Sequence, residues 1–196
     1  GWYCIYNGFD TLTSASGLSP NSTYRVMVCE YNGSSGWEKY NVNTSTNNPL
    51  NVLTDFVAPG TQASAIQVIE NNTGNIKITW TKGNGTKAVG FIKGTIPGSG
   101  LPVNNTTYVA DTVIGLGTQL GTSGWYCFYN GNGNTAKIYG LSSNKTYPLL
   151  ICEYNGTPGK EKYKTDPALN NPLNLLTIPA IFNMSGGGAY CVGKNP

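Results

Sequence analysis

Residues 1–56 and 124–179 align at a constant offset of 123 without a gap, and 29 of the 56 positions are identical. GWYC at 1–4 returns at 124–127, CEYNG at 29–33 at 152–156, EKY at 38–40 at 161–163, and NNPLN at 47–51 at 170–174. Self-similarity at a fixed spacing means a repeated structural unit, and that constrains the fold more than any single motif. A period of 123 residues is too long for one turn of a solenoid. It suits a whole β-sandwich of about 100 residues with a linker. The expected organisation is therefore 1–57 as the C-terminal half of one repeat, 58–180 as a complete repeat, and 181–196 as the start of a further domain. By this alignment the strands that would precede Gly1 in the first repeat are expected from polypeptide upstream or from a neighbouring subunit.

Residue usage fits the all-β class. Only 11% of residues are charged and 26 are glycine, with polarity carried by Asn, Thr, Ser and Tyr. Such chains favour short strands and tight turns over helices. Alternation and turn residues predict strands at 65–69, 76–81, 88–93, 107–112, 125–129, 136–139, 147–154 and 173–177. In the second of these Ile76, Ile78 and Trp80 share one face. YNG occurs four times, at 6–8, 31–33, 129–131 and 154–156, and Asn-Gly suits tight turns because both residues tolerate positive φ. Seven or eight short strands without a helix predict antiparallel sandwiches in tandem, the first one incomplete.

Several function classes lose support. A net charge of +3 without a basic cluster gives no nucleic-acid surface, and no apolar run approaches the ~20 residues of a membrane-spanning helix. The chain has no histidine, which removes Ser–His–Asp and Cys–His arrangements, and no nucleophile elbow, phosphate loop or dinucleotide fingerprint is present. Glu30 and Glu153 recur, yet neither is paired by sequence with a second carboxylate, as glycoside hydrolysis requires. The nine carboxylates are scattered, with no loop resembling a cation site. No catalytic residue, metal ligand or cofactor is assigned, and the chain reads as a non-enzyme.

Cys4 and Cys29 are 25 residues apart, and Cys127 and Cys152 repeat that separation. A metal site would need further Cys or His ligands, and a redox pair would show CxxC. The favoured reading is a disulfide within each repeat, Cys4–Cys29 and Cys127–Cys152, which implies an oxidising compartment. It requires the WYC strand to lie within bridging distance of the CEYNG strand. Cys191 is left over, its partner expected outside the chain. Trp2, Tyr3, Tyr6 and Trp37, with Trp125, Tyr126 and Tyr129 in the second repeat, offer flat aromatic faces for sugar stacking. The alternative is that one alternating set fills the core while the other covers the sheet.

GLSPNSTY at 17–24 and GLSSNKTY at 140–147 resemble the tyrosine corner of fibronectin type III domains, in which a Tyr hydroxyl ties down the turn before its strand. IKITW at 76–80 is similar to that family's strand with the buried Trp. The resemblance implies that Tyr147, Leu149 and Ile151 point inward and Leu150, Cys152 and Tyr154 outward. WTKGNGTKAVGF, GLGTQLG, WYCFYNGNGN and CEYNG further resemble the fibronectin-III-like repeats of giant secreted Bacteroidota proteins, among them gliding adhesins and type IX secretion substrates. That likeness covers about 1–180. GGGAYCVG at 186–193 resembles the opening of an Ig-like repeat from the same kind of protein. The resemblance also implies O-glycosylation at Asp, then Ser or Thr, then an apolar residue, which makes Thr11 and Thr112 candidate acceptors. The implied function is a structural and adhesive segment of an extracellular, cell-surface protein. Its partners would be neighbouring domains or subunits, and surface glycans. The rival reading is a carbohydrate-binding or spacer module of a secreted hydrolase.

Overall fold

Turn residues and short alternating runs divide the described residues into twelve antiparallel strands. The first repeat holds β1 (Thr23–Val26), β2 (Tyr31–Asn32), β3 (Lys39–Tyr40) and β4 (Leu50–Leu53). The second unit holds β5 (Ser64–Asn72), β6 (Asn75–Thr81), β7 (Lys87–Lys93), β8 (Trp125–Gly131), β9 (Thr135–Tyr139), β10 (Thr146–Asn155), β11 (Lys162–Tyr163) and β12 (Leu173–Leu176). The structure is a computed structural model that describes residues 1–94 and 98–179. No helix occurs among the described residues.

In the second unit two sheets face each other. One runs β5-β6-β9; the other runs β11-β10-β7-β8, with β12 also paired to β10. Ile76, Ile78 and Trp80 of β6 share a face, as their alternation predicts, and are buried against Ile92, Leu149, Ile151 and Ile138. The tyrosine corner is in place: the Tyr147 hydroxyl accepts a hydrogen bond from the Ser142 backbone N–H at 3.0 Å. Thr177 closes the same corner by donating to the Ser142 carbonyl at 2.7 Å.

The larger sheet carries a second core on its outer face. Tyr147, Leu149 and Ile151 point into the sandwich, whereas Leu150, Cys152 and Tyr154 point away from it. Those three are buried as well, together with Val89, Phe91, Trp125 and Tyr163. Their cover comes from the connection between β7 and β8. Tyr108 stands edge-on to Phe91 (centroids 5.1 Å apart, 88°) and to Tyr163 (5.8 Å, 63°). Asn104 Oδ1 accepts from the Tyr163 N–H at 2.8 Å, and the Tyr163 hydroxyl donates to the Thr106 carbonyl at 2.8 Å.

The strand expected at 107–112 does not form, and this connection explains why. The Asp111 N–H donates to the Cys127 carbonyl, while the Cys127 N–H donates to the Thr118 carbonyl and the Thr118 N–H to the Val109 carbonyl. Backbone groups are thus satisfied by scattered loop bonds instead of a continuous ladder. The alternating residues serve as anchors, with Tyr108 buried and Ala110 packed beside it.

The first repeat keeps only its hairpins. β1 pairs with β4 and β2 with β3. Residues 1–7, the counterpart of β8, form no strand. In the second unit β8 is held by β7, and among the described residues no strand plays that part for the first repeat.

Candidate functional site

The residues that recur between repeats converge at one end of β10. Glu153 is fully buried, and its carboxylate accepts hydrogen bonds from the backbone N–H groups of Gly83 (3.0 Å) and Gly85 (3.1 Å). Both glycines are needed for that approach. A Cβ on Gly83 would lie 2.1 Å from the Thr61 carbonyl oxygen, and one on Gly85 would lie 2.6 Å from Glu153 Oε2. The Glu153 N–H donates to Gln62 Oε1 at 2.9 Å, and Gln62 Nε2 donates to the Lys164 carbonyl at 2.6 Å. The carboxylate therefore fastens the β6–β7 loop to β10. In the sequence Glu153 stands out only as a recurring carboxylate without a paired second one. The missed signal is the Gly-Asn-Gly at 83–85, whose two N–H groups are the partners.

Burial pushes the Glu153 carboxyl above the ordinary value of 4.5, against the opposing effect of the Gly83 and Gly85 N–H groups and of Lys82. A raised folded-state pKa favours the protonated form on folding. Its contribution is complete below the ordinary carboxylate value and is lost as pH rises through the folded-state value. Acidifying from pH 7 to 5 should therefore stabilise the complete unit through this group, and Glu153→Ala should remove that part of the pH dependence. At neutral pH the same variant orphans two N–H groups and should cost about 2–3 kcal/mol. Denaturant titrations of both proteins at several pH values check both statements.

Asn171 is a second such residue, and its only signal in the sequence is its place in the repeated NNPLN. It is buried and bonded on both sides: Oδ1 accepts from the Ile151 N–H (3.0 Å), while Nδ2 donates to the carbonyls of Ile151 and Ala63 (2.7 Å each). It links β10 to the start of the other sheet. Glu161 has a comparable part in the outer core. Its Oε1 accepts from the Thr107 hydroxyl, and the Asn105 N–H donates to its backbone carbonyl. A polar cleft of about 420 Å³ opens beside it, lined by Lys87, Tyr108, Asn130 and Tyr154.

The disulfide expectation is corrected. Cys127 and Cys152 are free, buried thiols, as Cys4 is a free exposed one and Cys29 a free half-buried one. β7 runs between their strands, with Phe91 opposite Cys127 and Val89 opposite Cys152. Two strand spacings put them at least about 9.5 Å apart, beyond the ~7 Å limit for bridging. Burial pushes both thiols up to about 12, so they are inert core hydrophobes.

The aromatic platform is corrected too. Trp125 is buried in the outer core with Lys93 Nζ 6.0 Å from its ring centroid. Tyr129 packs on the opposite face, edge-on to Trp80 at 5.0 Å and 74°. A bulge where β8 passes Gly90 and Phe91 separates their registers. Tyr126 is half-buried. The three do not share a stacking surface. Thr11 and Thr112 are both exposed, and the Asp111 carboxylate accepts from the Val113 N–H at 2.8 Å. Cys191 and the domain expected from 181 lie outside the described residues. Among the described residues no three Cys, Asp or Glu side chains cluster as a metal site.

The sheets place β6 beside β9 and β7 between β8 and β10, with the tyrosine corner at the start of β10. The fold is an FNIII-like sandwich. No family model matches the chain, and no curated protein matches it. Among solved structures it is similar to the fourth FNIII domain of a human protein, at 18% identity and a TM-score of 0.38, covering 79% of this chain and all of that one. It is also similar to domains d3–d4 of the rat CD45 extracellular region, at 14% identity and a TM-score of 0.35, covering 85% of this chain and 75% of that one. Both TM-scores lie under 0.5, so the FNIII-like assignment rests on strand order, register and the tyrosine corner.

Proposed function

We propose that the chain is a non-catalytic structural and adhesive segment, a run of FNIII-like sandwiches belonging to a large secreted bacterial surface protein. The observation that carries the first part is where the recurring carboxylates go. In the complete unit Glu153 is bonded to the backbone of Gly83 and Gly85 and Glu161 to Thr107. Groups that could serve acid–base chemistry are thus used to join loops to strands, as expected of a unit under selection for folding. The surface-protein context is supported by the repeat itself and by the resemblance of its motifs to secreted Bacteroidota repeats, and the exposed Thr11 and Thr112 fit O-glycosylation there. The purified chain should turn over no polysaccharide or ester and should adhere to neighbouring domains of the same protein. Hydrolase assays and glycan arrays test this. Turnover abolished by Glu153→Gln in a still-folded chain would overturn it, and glycan binding lost in Trp2→Ala would favour the carbohydrate-binding module instead.

A further inference from the structure

The two repeats have the same local geometry and opposite exposure. In the first, the Ser19 N–H donates to the Tyr24 hydroxyl at 2.9 Å, and the Thr54 hydroxyl donates to the Ser19 carbonyl at 2.6 Å. Asn48 accepts from the Val28 N–H (3.0 Å) and donates to the Val28 carbonyl (2.7 Å). Tyr31 and Tyr40 stack with centroids 5.1 Å apart, the separation found for Tyr154 and Tyr163. Each of these features matches the complete unit at the offset of 123. The hairpins of residues 18–57 are therefore already formed, with their side chains in the arrangement that a finished sandwich uses.

What is absent is the set of contacts that residues 58–123 supply to the second unit. Asn48 has no counterpart of the Ala63 carbonyl, and Glu30 has no Gly-Asn-Gly loop and stands exposed. The exposure follows suit. Trp2 is 60% exposed against 9% for Trp125, Ile5 55% against 2% for Phe128, and Val28 68% against 0% for Ile151. A preformed apolar face of this kind lacks only its cover.

Among the described residues the strands that could serve are already committed. β7 is paired on both sides, to β8 and to β10, so residues 58–123 cannot complete 1–57 without stripping 124–179. A second copy of the chain brings one such strand set and two faces that need one, so self-association always leaves a face bare. We propose that residues 1–57 are the acceptor half of a sandwich, covered by a further strand set of the 58–123 kind. In the second unit residues 58–123 lead into β8 through the Ser123–Gly124 step. The acceptor face follows from burial and hydrogen bonding, whether or not the chain is adhesive.

The test joins an extra copy of residues 58–123 directly ahead of Gly1 of the full chain, with Cys191→Ser in the extended and unextended proteins. Native thiols are titrated with an aromatic disulfide reagent at low protein concentration. The unextended chain should react at two thiols, Cys4 and Cys29, while Cys127 and Cys152 stay silent. The extended chain should react at none, and its calorimetric unfolding enthalpy should rise about twofold, because the enthalpy scales with the number of folded residues. An extension carrying Ile78→Asp should leave Cys4 and Cys29 reactive, which separates covering by folded strands from shielding by added chain. Reaction at both thiols in the extended chain overturns the proposal. So does protection in the unextended chain, or protection that survives Ile78→Asp.

Discussion

Residues 58–179 expressed alone should unfold in one cooperative transition, whereas residues 1–57 alone should show no transition. The longer fragment contains both sheets, the core between them and the outer core under the β7–β8 connection. A domain of that size ordinarily has a stability of about 5–15 kcal/mol. The shorter fragment holds two separate two-stranded sheets whose large apolar side chains face solvent, among them Val26, Tyr40, Leu50 and Val52. Two-stranded hairpins are at best marginal in water, and here they bury too little to offset the entropy of ordering the chain. Thermal melts and amide exchange on the two fragments decide the matter. A monomeric 1–57 that melts cooperatively would mean that its strands find a core without partners.

Phe91→Ala should destabilise the complete unit by about 3–5 kcal/mol, the range for removing a buried aromatic ring. Phe91 lies on the outer face of its sheet, where a sandwich exposed on that side would tolerate the change. Here it is wholly buried and meets Tyr108 edge-on. Its loss would leave a void beneath the connection and detach the ring that anchors residues 98–124. Amide exchange should therefore quicken in that connection more than in β5 and β6. Trp2→Ala, at the exposed first repeat, should stay within about 0.5 kcal/mol of the parent. Chemical denaturation checks the magnitudes, and a loss below about 1 kcal/mol for Phe91→Ala would mean that the outer layer is not a core.

The repeat, the all-β class and the opposed faces of the strands can be read from the order of residues. Period-two alternation is a local property, so Ile76, Ile78 and Trp80 could be assigned to one face and Tyr147, Leu149 and Ile151 to the face opposite Leu150, Cys152 and Tyr154. The tyrosine corner was legible through the resemblance of GLSSNKTY to that family, and it is local as well, since Tyr147 reaches only as far back as Ser142. Which strand lies beside which, and what covers each face, is settled only when the chain folds. β7 comes between Cys127 and Cys152 although it lies more than thirty residues upstream of both, so a recurring cysteine spacing could not reveal that they are too far apart to bridge. The outward set on β10 is buried, not wet, because a loop with no regular period folds over it, and periodicity reads only residues that obey it. Glu153 and Asn171 likewise find their partners at Gly83, Gly85 and Ala63, 68–108 residues away. Alternation along a strand fixes the direction of a side chain. What that side chain meets depends on strand pairing across the whole chain, which no local pattern encodes.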